Sequence, residues 1–321
     1  MTTPRAVGVR MPYAEVPDRV RAWVDHALGS PVASWADQVG GMSPGCATRV
    51  VGADGSRAFV KAVGAELNPD SPVLFRREIE RLRLIGEDPL WAGLRSAYDE
   101  EGWVALLLDD VPGGHPDLAD DEQMADLLSA TDQLVARLGR FHPADPVLAP
   151  DIGIPGVIDA RARFRDWVRA LDHLDELPDD LVPAAVRSRP DRLRELVAPL
   201  AEGGTTQLLH WDIRIDNLLR PAAGRIVFVD WGAAAIGPSW VDPLLARLER
   251  VDQPWFDASL GASPTLAEVG DDLVTGWLAA FGTHLAWRSL QGSADIGLPT
   301  LNEFRRTEAR RFLGAAARRM G

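Results

Sequence analysis

The chain has 321 residues, 46% of them hydrophobic and 25% charged, which is enough to bury one large core or two cores of ordinary size. This composition excludes disordered and collagen-like proteins, and no apolar run reaches the roughly 18 to 20 residues that a membrane-spanning helix needs. The formal net charge of -13 argues against a nucleic-acid partner, because phosphate backbones are bound by clustered lysine and arginine. We therefore predict a globular protein whose partners include neither a nucleic acid nor a membrane.

Cysteine and lysine each occur once in the chain, and both are informative about the protein. Cys46 is the single cysteine, so no internal disulfide can form, and the first residues lack the apolar core of a secretory signal. Both observations predict a cytoplasmic location. Among 34 basic residues, Lys61 is the one lysine, which points to a position that needs a compact ammonium group rather than a planar guanidinium.

The first 110 residues predict a lobe built around a β-sheet. Apolar residues at three- and four-residue spacing indicate helices over 16–28 and 72–85. Alternating apolar runs separated by turn residues indicate five strands, over 33–39, 47–51, 58–63, 95–98 and 103–108. After the opening helix, the expected order of elements is therefore βββαββ.

Residues 111–321 predict a second, mostly helical lobe. Helical periodicity extends over five segments, 120–141, 158–174, 192–200, 266–290 and 301–319. The exception is a small hairpin with strands over 217–219 and 225–229, joined by a turn that ends at Gly224. We place the boundary between the two units at residues 110 and 111.

Two short motifs flank this hairpin. The string HWDIRIDN occupies 210–217, and the triplet DWG occupies 230–232. Each motif alone is more often a turn than a site. The hairpin between them turns the chain back, so that Asn217 and Asp230 can lie close together.

In this order and spacing, the motifs resemble the catalytic and metal-binding loops of the kinase-like fold, most closely the aminoglycoside phosphotransferase and choline kinase family. The resemblance implies an α+β, protein-kinase-like two-lobe fold. Its N-terminal lobe would hold an antiparallel sheet with one key helix, and its C-terminal lobe would be mostly helical.

The resemblance also implies a role for each polar residue of the two motifs. Asp212 would orient the acceptor hydroxyl and take its proton, and Asn217 and Asp230 would bind Mg²⁺ that bridges the ATP phosphates. Arg214 would stabilise charge near the transferred phosphoryl group. Asp216 is interpreted as a structural residue of the loop.

On the nucleotide side, the same resemblance implies a strand lysine that reaches the α- and β-phosphates and a helix glutamate that holds it. Lys61 lies on the third predicted strand, and Glu78 is chosen over Glu80, which would fall about 200° away around the helix. Gly41 and Gly45 belong to a glycine-rich loop that would cover the phosphates.

The connection from Asp109 to Val111 would bind adenine through main-chain groups. The residue types of the glycine-rich loop and of this connection say little by themselves about nucleotide binding. These assignments therefore depend on the resemblance.

The implied activity is ATP-dependent transfer of a γ-phosphoryl group to a hydroxyl of a small molecule. Only ten residues, 233–242, follow the DWG motif before the next helix is expected, too few for the activation segment of a protein kinase. Alternatives stay open: a nucleotide-binding pseudoenzyme, a kinase of a neutral sugar-like metabolite, and a protein kinase. The sequence also leaves open the identity of the acceptor and the oligomeric state. It does not determine whether the protein acts in antibiotic resistance or in metabolism.

Charges in the second lobe suggest a cationic acceptor, such as an aminoglycoside or amino sugar. Four aspartates follow the metal motif near two tryptophans: Asp252, Asp257, Asp271 and Asp272, with Trp240 and Trp255. Carboxylates beside indole rings attract amines, although the same residues could be helix caps and core. Six arginines recur at helical spacing near the end of the chain and are interpreted as a solvated face: Arg305, Arg306, Arg310, Arg311, Arg318 and Arg319.

Overall fold

The computed structural model of the chain describes residues 10–38, 43–141, 158–201, 206–222, 224–291 and 300–321. The predicted βββαββ order is confirmed. After helix α1 (Asp18–Leu28), the elements are β1 (Val32–Asp37), β2 (Cys46–Gly52), β3 (Arg57–Gly64), α2 (Ser71–Ile85), β4 (Leu94–Glu100) and β5 (Trp103–Leu108). The five strands form one antiparallel sheet in the order β1-β2-β3-β5-β4.

A helix covers each face of this sheet. Strand β5 is buried along its whole length because its alternating side chains point to opposite faces. Ala105 and Leu107 belong to the same apolar cluster as Val20 of α1. Leu106 packs in the cluster that contains residues of α2, so the sheet is enclosed between the two helices.

The second lobe is mostly helical, as predicted. Its longer helices are α3 (Asp121–Leu138), α4 (Ala160–Arg169), α6 (Pro190–Val197), α10 (Asp271–Arg288) and α11 (Leu301–Arg319), and its shorter ones are α5 (Ala184–Arg187), α7 (Val241–Leu245), α8 (Pro254–Leu260) and α9 (Pro264–Ala267). Helix α10 lies at the centre, against α4, α6 and α11. It is apolar around most of its circumference because neighbours surround it.

Two details of this lobe differ from the prediction. The helix expected over 266–290 is divided into α9 and α10, because Gly270 adopts a φ of 84° that ends the helical path. A three-stranded sheet was missed: β6 (Ile158–Asp159), β10 (Ala235–Pro238) and β7 (Thr206–Leu209) lie side by side in that order. The predicted hairpin is present as β8 (Leu218–Leu219) and β9 (Val227–Phe228).

The sheet of β6, β10 and β7 positions the loop that follows β7. Strand β10 pairs antiparallel with β7 and is buried in all four residues. Residues 210–217 connect β7 to β8, so the HWDIRIDN motif is anchored at both ends by β-structure. Among the described residues, no helix is both long and apolar enough to cross a membrane.

Candidate active site

His210 anchors the beginning of the loop between β7 and β8. Its imidazole is fully buried, with Nε2 3.1 Å from the carbonyl oxygen of Val229 and Nδ1 3.4 Å from the backbone N–H of Asp212. Burial lowers the pKa of His210, so the ring is neutral. A neutral ring in which Nε2 donates to Val229 and Nδ1 accepts from Asp212 satisfies both contacts.

Asp242, in the first turn of α7, fixes the beginning of the same loop through hydrogen bonds. Its buried carboxylate accepts hydrogen bonds from the backbone N–H groups of His210, at 2.8 Å, and Trp211, at 2.9 Å. Burial raises the pKa of Asp242, although His210 and the two N–H donors act in the opposite direction. Between these bonds Trp211 has a φ of 69°, a left-handed conformation that is rare for a bulky side chain.

Asp212 and Asn217 contact each other across the loop. The side-chain amide of Asn217 donates to both the carbonyl oxygen and Oδ2 of Asp212, each at 2.9 Å. Asp212 Oδ1 lies 3.0 Å from Nε of Arg214, whose Nη2 lies 3.2 Å from Asp216 Oδ2. Burial raises the pKa of Asp212 despite the opposing effect of Arg214, so this carboxylate is a stronger base than an ordinary aspartate.

Asp230 brings the sheet lobe and the helical lobe into contact. It follows β9 with a φ of 67°, and its Oδ1 lies 3.2 Å from Nζ of Lys61 on β3. Lys61 also forms an ion pair with Glu78 of α2. Glu80 instead lies 3.9 Å from Arg81, so the glutamate of α2 that pairs with Lys61 is Glu78.

Lys61 and Asp230 stabilise each other's charge. Burial would lower the pKa of Lys61, but Asp230 and Glu78 outweigh it and raise the pKa. Burial would raise the pKa of Asp230, but Lys61 outweighs it and holds the pKa below its usual range. Lys61 is therefore an ammonium and Asp230 a carboxylate, which are the charge states that phosphates and a cation would require.

The DWG motif also packs against helix α2. Trp231 is buried, with its ring edge-on to Trp91 at 5.4 Å and to His210 at 4.7 Å. A Cβ at Gly232 would lie 3.1 Å from the carbonyl oxygen of Leu74 in α2, so only a small residue fits there. The helix that carries Glu78 is thus packed directly on the segment that carries Asp230.

Asn217 and Asp230 suit a magnesium ion by their chemistry. The amide nitrogen of Asn217 is occupied by Asp212, which leaves its carbonyl oxygen as the available group. The side chain of Asp230 is 50% exposed and ionised. Two hard oxygen donors that leave further positions for phosphate oxygens and water match the preference of Mg²⁺.

The remaining nucleotide-side residues form mainly structural contacts. A Cβ at Gly45 would lie 2.3 Å from the carbonyl oxygen of Ala62, so this glycine allows the chain to approach β3 closely. Gly41 lies outside the described residues. The carboxylate of Asp109 accepts from Nε of Arg95 at 2.7 Å.

The main-chain groups expected to bind adenine already have protein partners. The N–H of Asp109 donates to the carbonyl oxygen of Gly93 at 3.0 Å, and the carbonyl oxygen of Val111 accepts from Arg49 at 2.8 Å. An adenine that contacts the carbonyl oxygen of Val111 would share that oxygen with Arg49 or replace it.

The four aspartates expected to attract a cation are paired within the protein. Three of them contact arginines of α11: Asp252 contacts Arg311 at 2.6 Å, and Asp257 and Asp271 contact Arg319. Asp272 pairs with Arg192 at 2.8 Å. An ammonium group of an acceptor would therefore have to compete with an arginine for each of these carboxylates.

The tryptophans and arginines near these aspartates also differ from expectation. Trp240 is buried and stacks on Phe164 at 5.9 Å, and Trp255 faces the guanidinium of Arg250 at 4.9 Å. Arg311 and Arg319, expected on a solvated face, lie largely inside the protein. The sequence shows the helical spacing of these arginines but not that carboxylates from α8, α10 and the preceding loops meet them.

A cavity of about 200 Å³ lies beside the loop between β7 and β8, a feature that the sequence analysis did not identify. The loop residues from Trp211 to Asp216 form one side of it, and residues of α10 and α11 form another. Asp212 is therefore one of the residues that line this cavity.

Comparison with known proteins supports this architecture. The model of the phosphotransferase enzyme family (APH) matches residues 48–292. Choline kinase LicA from Streptococcus pneumoniae is 15% identical over 92% of this chain and 98% of its own, with a TM-score of 0.55. Macrolide 2'-phosphotransferase MphH from Brachybacterium faecium gives the same identity, coverage and TM-score.

A third structure, the gentamicin complex of APH(2")-IIa, is 12% identical over 93% of this chain and 99% of that chain, with a TM-score of 0.57. No curated protein sequence matches. The structural similarities confirm the kinase-like two-lobe α+β fold.

Proposed function

Because this chain belongs to the phosphotransferase enzyme family, we propose that it transfers the γ-phosphoryl group of ATP to a hydroxyl group of a small molecule. One observation carries the proposal. Lys61 and Asp230, from different lobes, meet at 3.2 Å, and the Asp212–Asn217 pair follows β7 in the same cleft. Phosphoryl transfer depends mainly on positioning and charge stabilisation, and these residues supply both.

The raised pKa of Asp212 suits the first chemical task, which is to accept the proton of the acceptor hydroxyl. The acceptor oxygen then forms a bond to the γ-phosphorus. The bond from that phosphorus to the β–γ bridging oxygen breaks, and this oxygen leaves with the electron pair on ADP. Arg214 holds Asp212 in place and puts positive charge beside the transferred group.

The nucleotide would be bound from the opposite side of the cleft. Lys61, held by Glu78, would contact the α- and β-phosphates. Asn217 and Asp230 would hold Mg²⁺, which neutralises charge on the phosphate oxygens when bound.

The proposal of a cytoplasmic location rests on the single cysteine.

A small acceptor is favoured over a protein because of the segment after DWG. In protein kinases this segment is a long activation loop that docks a polypeptide. Here Ala235–Pro238 form the buried strand β10, and α7 begins at Val241. A segment built into the core leaves no docking loop at this position.

The proposal is tested by measuring ADP release and phosphorylated product with Mg·ATP and pools of hydroxyl metabolites. We expect Asp212→Asn to lower transfer by at least ~10²-fold with little change in ATP affinity. Asp180→Asn, which changes an exposed carboxylate that contacts Arg310, is the matched control. Transfer that survives in Asp212→Asn would contradict the assigned base. ATP binding without any turnover would favour the pseudoenzyme.

A further inference from the structure

The cavity beside Asp212 has mainly apolar walls. Nine of its lining side chains are aliphatic or aromatic: Trp211, Ile213, Ile215, Leu245, Leu248, Phe281, Leu285, Phe304 and Phe312. Burying a hydroxyl or amine without a partner against such walls costs free energy. The walls therefore favour an acceptor whose body is apolar.

Several aromatic walls are held rigidly by neighbouring rings. Trp211 stacks on Trp167, with centroids 5.7 Å apart and planes at 24°. Phe281 stacks on Phe312 at 5.5 Å and 24°. Rings fixed by their neighbours present a preformed surface, and a ligand that packs against them loses little affinity to reorganisation.

Most charged groups of the cavity are already paired. Asp212 and Asp216 both contact Arg214. Glu308 contacts Arg311, and the same guanidinium donates to the carbonyl oxygens of residues 248 and 249. These charges hold the walls together, and they offer no free ion-pair partner to a ligand.

Glu249 is different from the other acidic residues that line the cavity. Only its main-chain oxygen has a partner, Arg311. Its half-buried carboxylate has neither a hydrogen bond nor an ion pair within the described part of the chain. It lies close enough to Glu308 to help raise the pKa of that residue, after the larger effect of burial. Among the acidic residues that line the cavity, Glu249 is therefore the one whose carboxylate has no arginine partner in the described part of the chain.

On the basis of the proposed function, we infer that the acceptor is an alcohol with a compact apolar body and one ammonium group, which pairs with Glu249. The aromatic walls pack against the apolar body and favour one nearby positive charge. An aminoglycoside with several ammonium groups would leave all but one of them without a partner inside the cavity. A polyol would leave several hydroxyls unpaired in the same way.

Binding to the ADP-bound protein, measured by calorimetry, tests the inference without requiring turnover. Dimethylaminocyclohexanol is compared with isopropylcyclohexanol, its neutral carbon isostere, and with kanamycin as a polycation. We expect the amine to bind at least ~10-fold more tightly than the isostere, which corresponds to about 1.4 kcal/mol. We expect kanamycin to bind more weakly than the amine.

Glu249→Gln identifies the residue responsible. We expect the ratio between the amine and its isostere to fall to about one, whereas Glu303→Gln, at an exposed position on α11, keeps the original ratio. Equal binding of the two alcohols by the unmodified protein would overturn the inference. So would tighter binding of kanamycin, or a ratio that Glu249→Gln does not change.

Turnover distinguishes failure of this inference from failure of the proposed function. If ADP release and phosphorylated product are absent with every acceptor, the proposed phosphotransfer is wrong, whichever alcohol binds. If product forms from kanamycin or a polyol but not from the apolar amine, the proposed function stands and the inferred acceptor class is wrong.

Discussion

Lys61 Nζ lies 3.2 Å from Oδ1 of Asp230, although 169 residues separate them in the chain. The contact joins β3 of the sheet lobe to the end of β9 in the helical lobe. A phosphate that binds to Lys61 would replace Asp230 as its partner. A cation that binds to Asp230 would likewise replace Lys61. The two charges are thus balanced in the same cleft before either ligand binds.

The first prediction follows from this contact. Lys61→Met removes the ammonium and leaves Glu78 and Asp230 as uncompensated charges. We expect affinity for Mg·ATP to fall at least ~10-fold, measured as the loss of the ligand-induced increase in Tm. Lys61→Arg is the matched variant. Because a planar guanidinium does not replace a compact ammonium in this enclosed position, we expect it to recover less than half of the Tm increase.

The second prediction concerns pH. In the proposed mechanism Asp212 acts as an unprotonated base, and burial raises its pKa, so kcat/KM should decrease as the pH falls through that raised value. The acid limb of the profile should therefore lie at higher pH than for an ordinary aspartate. Arg214 lowers the pKa of Asp212, so Arg214→Ala should move the limb further up, and Arg214→Lys should move it less. An acid limb that Arg214→Ala does not move would contradict the assignment.

The third prediction tests the bonds between Asp242 and the loop. Asp242→Asn replaces a carboxylate that accepts from two backbone N–H groups by an amide with one acceptor atom. One buried N–H then loses its partner, at a cost of about 1–3 kcal/mol in the free energy of unfolding. We expect kcat to fall ~10- to 100-fold because Trp211 and Asp212 lose their fixed positions.

Two measurements distinguish this loop effect from general unfolding. Circular dichroism should show an intact fold, and ATP affinity should fall less than kcat, because Lys61, Glu78 and Asp230, the other proposed nucleotide and metal contacts, lie outside the loop. Asp191→Asn, at an exposed position that contacts Arg194, is the control. A kcat equal to that of the control would show that Asp242 does not position the loop.

The fourth prediction compares two arginines of α11. Arg319 is 9% exposed and contacts Asp257, Asp271 and the hydroxyl of Thr275, whereas Arg310 is 48% exposed and contacts Asp180. Arg319→Ala leaves several partners unpaired, and we expect it to lower the free energy of unfolding by about 1–3 kcal/mol. Arg310→Ala should cost less than about 1 kcal/mol. Urea denaturation of both variants measures the difference, and equal effects would contradict it.

The sequence was informative where one contiguous pattern determined the structure. The spacing of HWDIRIDN and DWG predicted the loop and its hairpin, because local chain geometry alone brings Asn217 near Asp230. Glu78 was chosen because its neighbourhood resembles the helix of the family, and the angular spacing of a helix places Glu80 on another face. The sheet of β6, β10 and β7 was missed because its strands have two to four residues, too few for a periodic signal.

The cavity and the arginine contacts required the folded structure. The walls of the cavity come from the loop at 211–216 and from residues between 245 and 312, and no local pattern shows that these segments meet. Arg311 and Asp252 are separated by 59 positions, so the spacing of the arginines could not identify their partners. For this reason the interpretation of a solvated face was wrong for Arg311 and Arg319, although Arg306, Arg310 and Arg318 are exposed.

The enclosed position of Lys61 has a consequence for chemical labelling. Its side chain is 10% exposed, and its raised pKa keeps the amine protonated, so it lacks the lone pair that acylating reagents require. Because the chain has no second lysine, an amine-specific ester should modify no side chain while the cleft is intact. A single added acyl group on Lys61, detected by peptide mass spectrometry, would therefore show that the two lobes have separated.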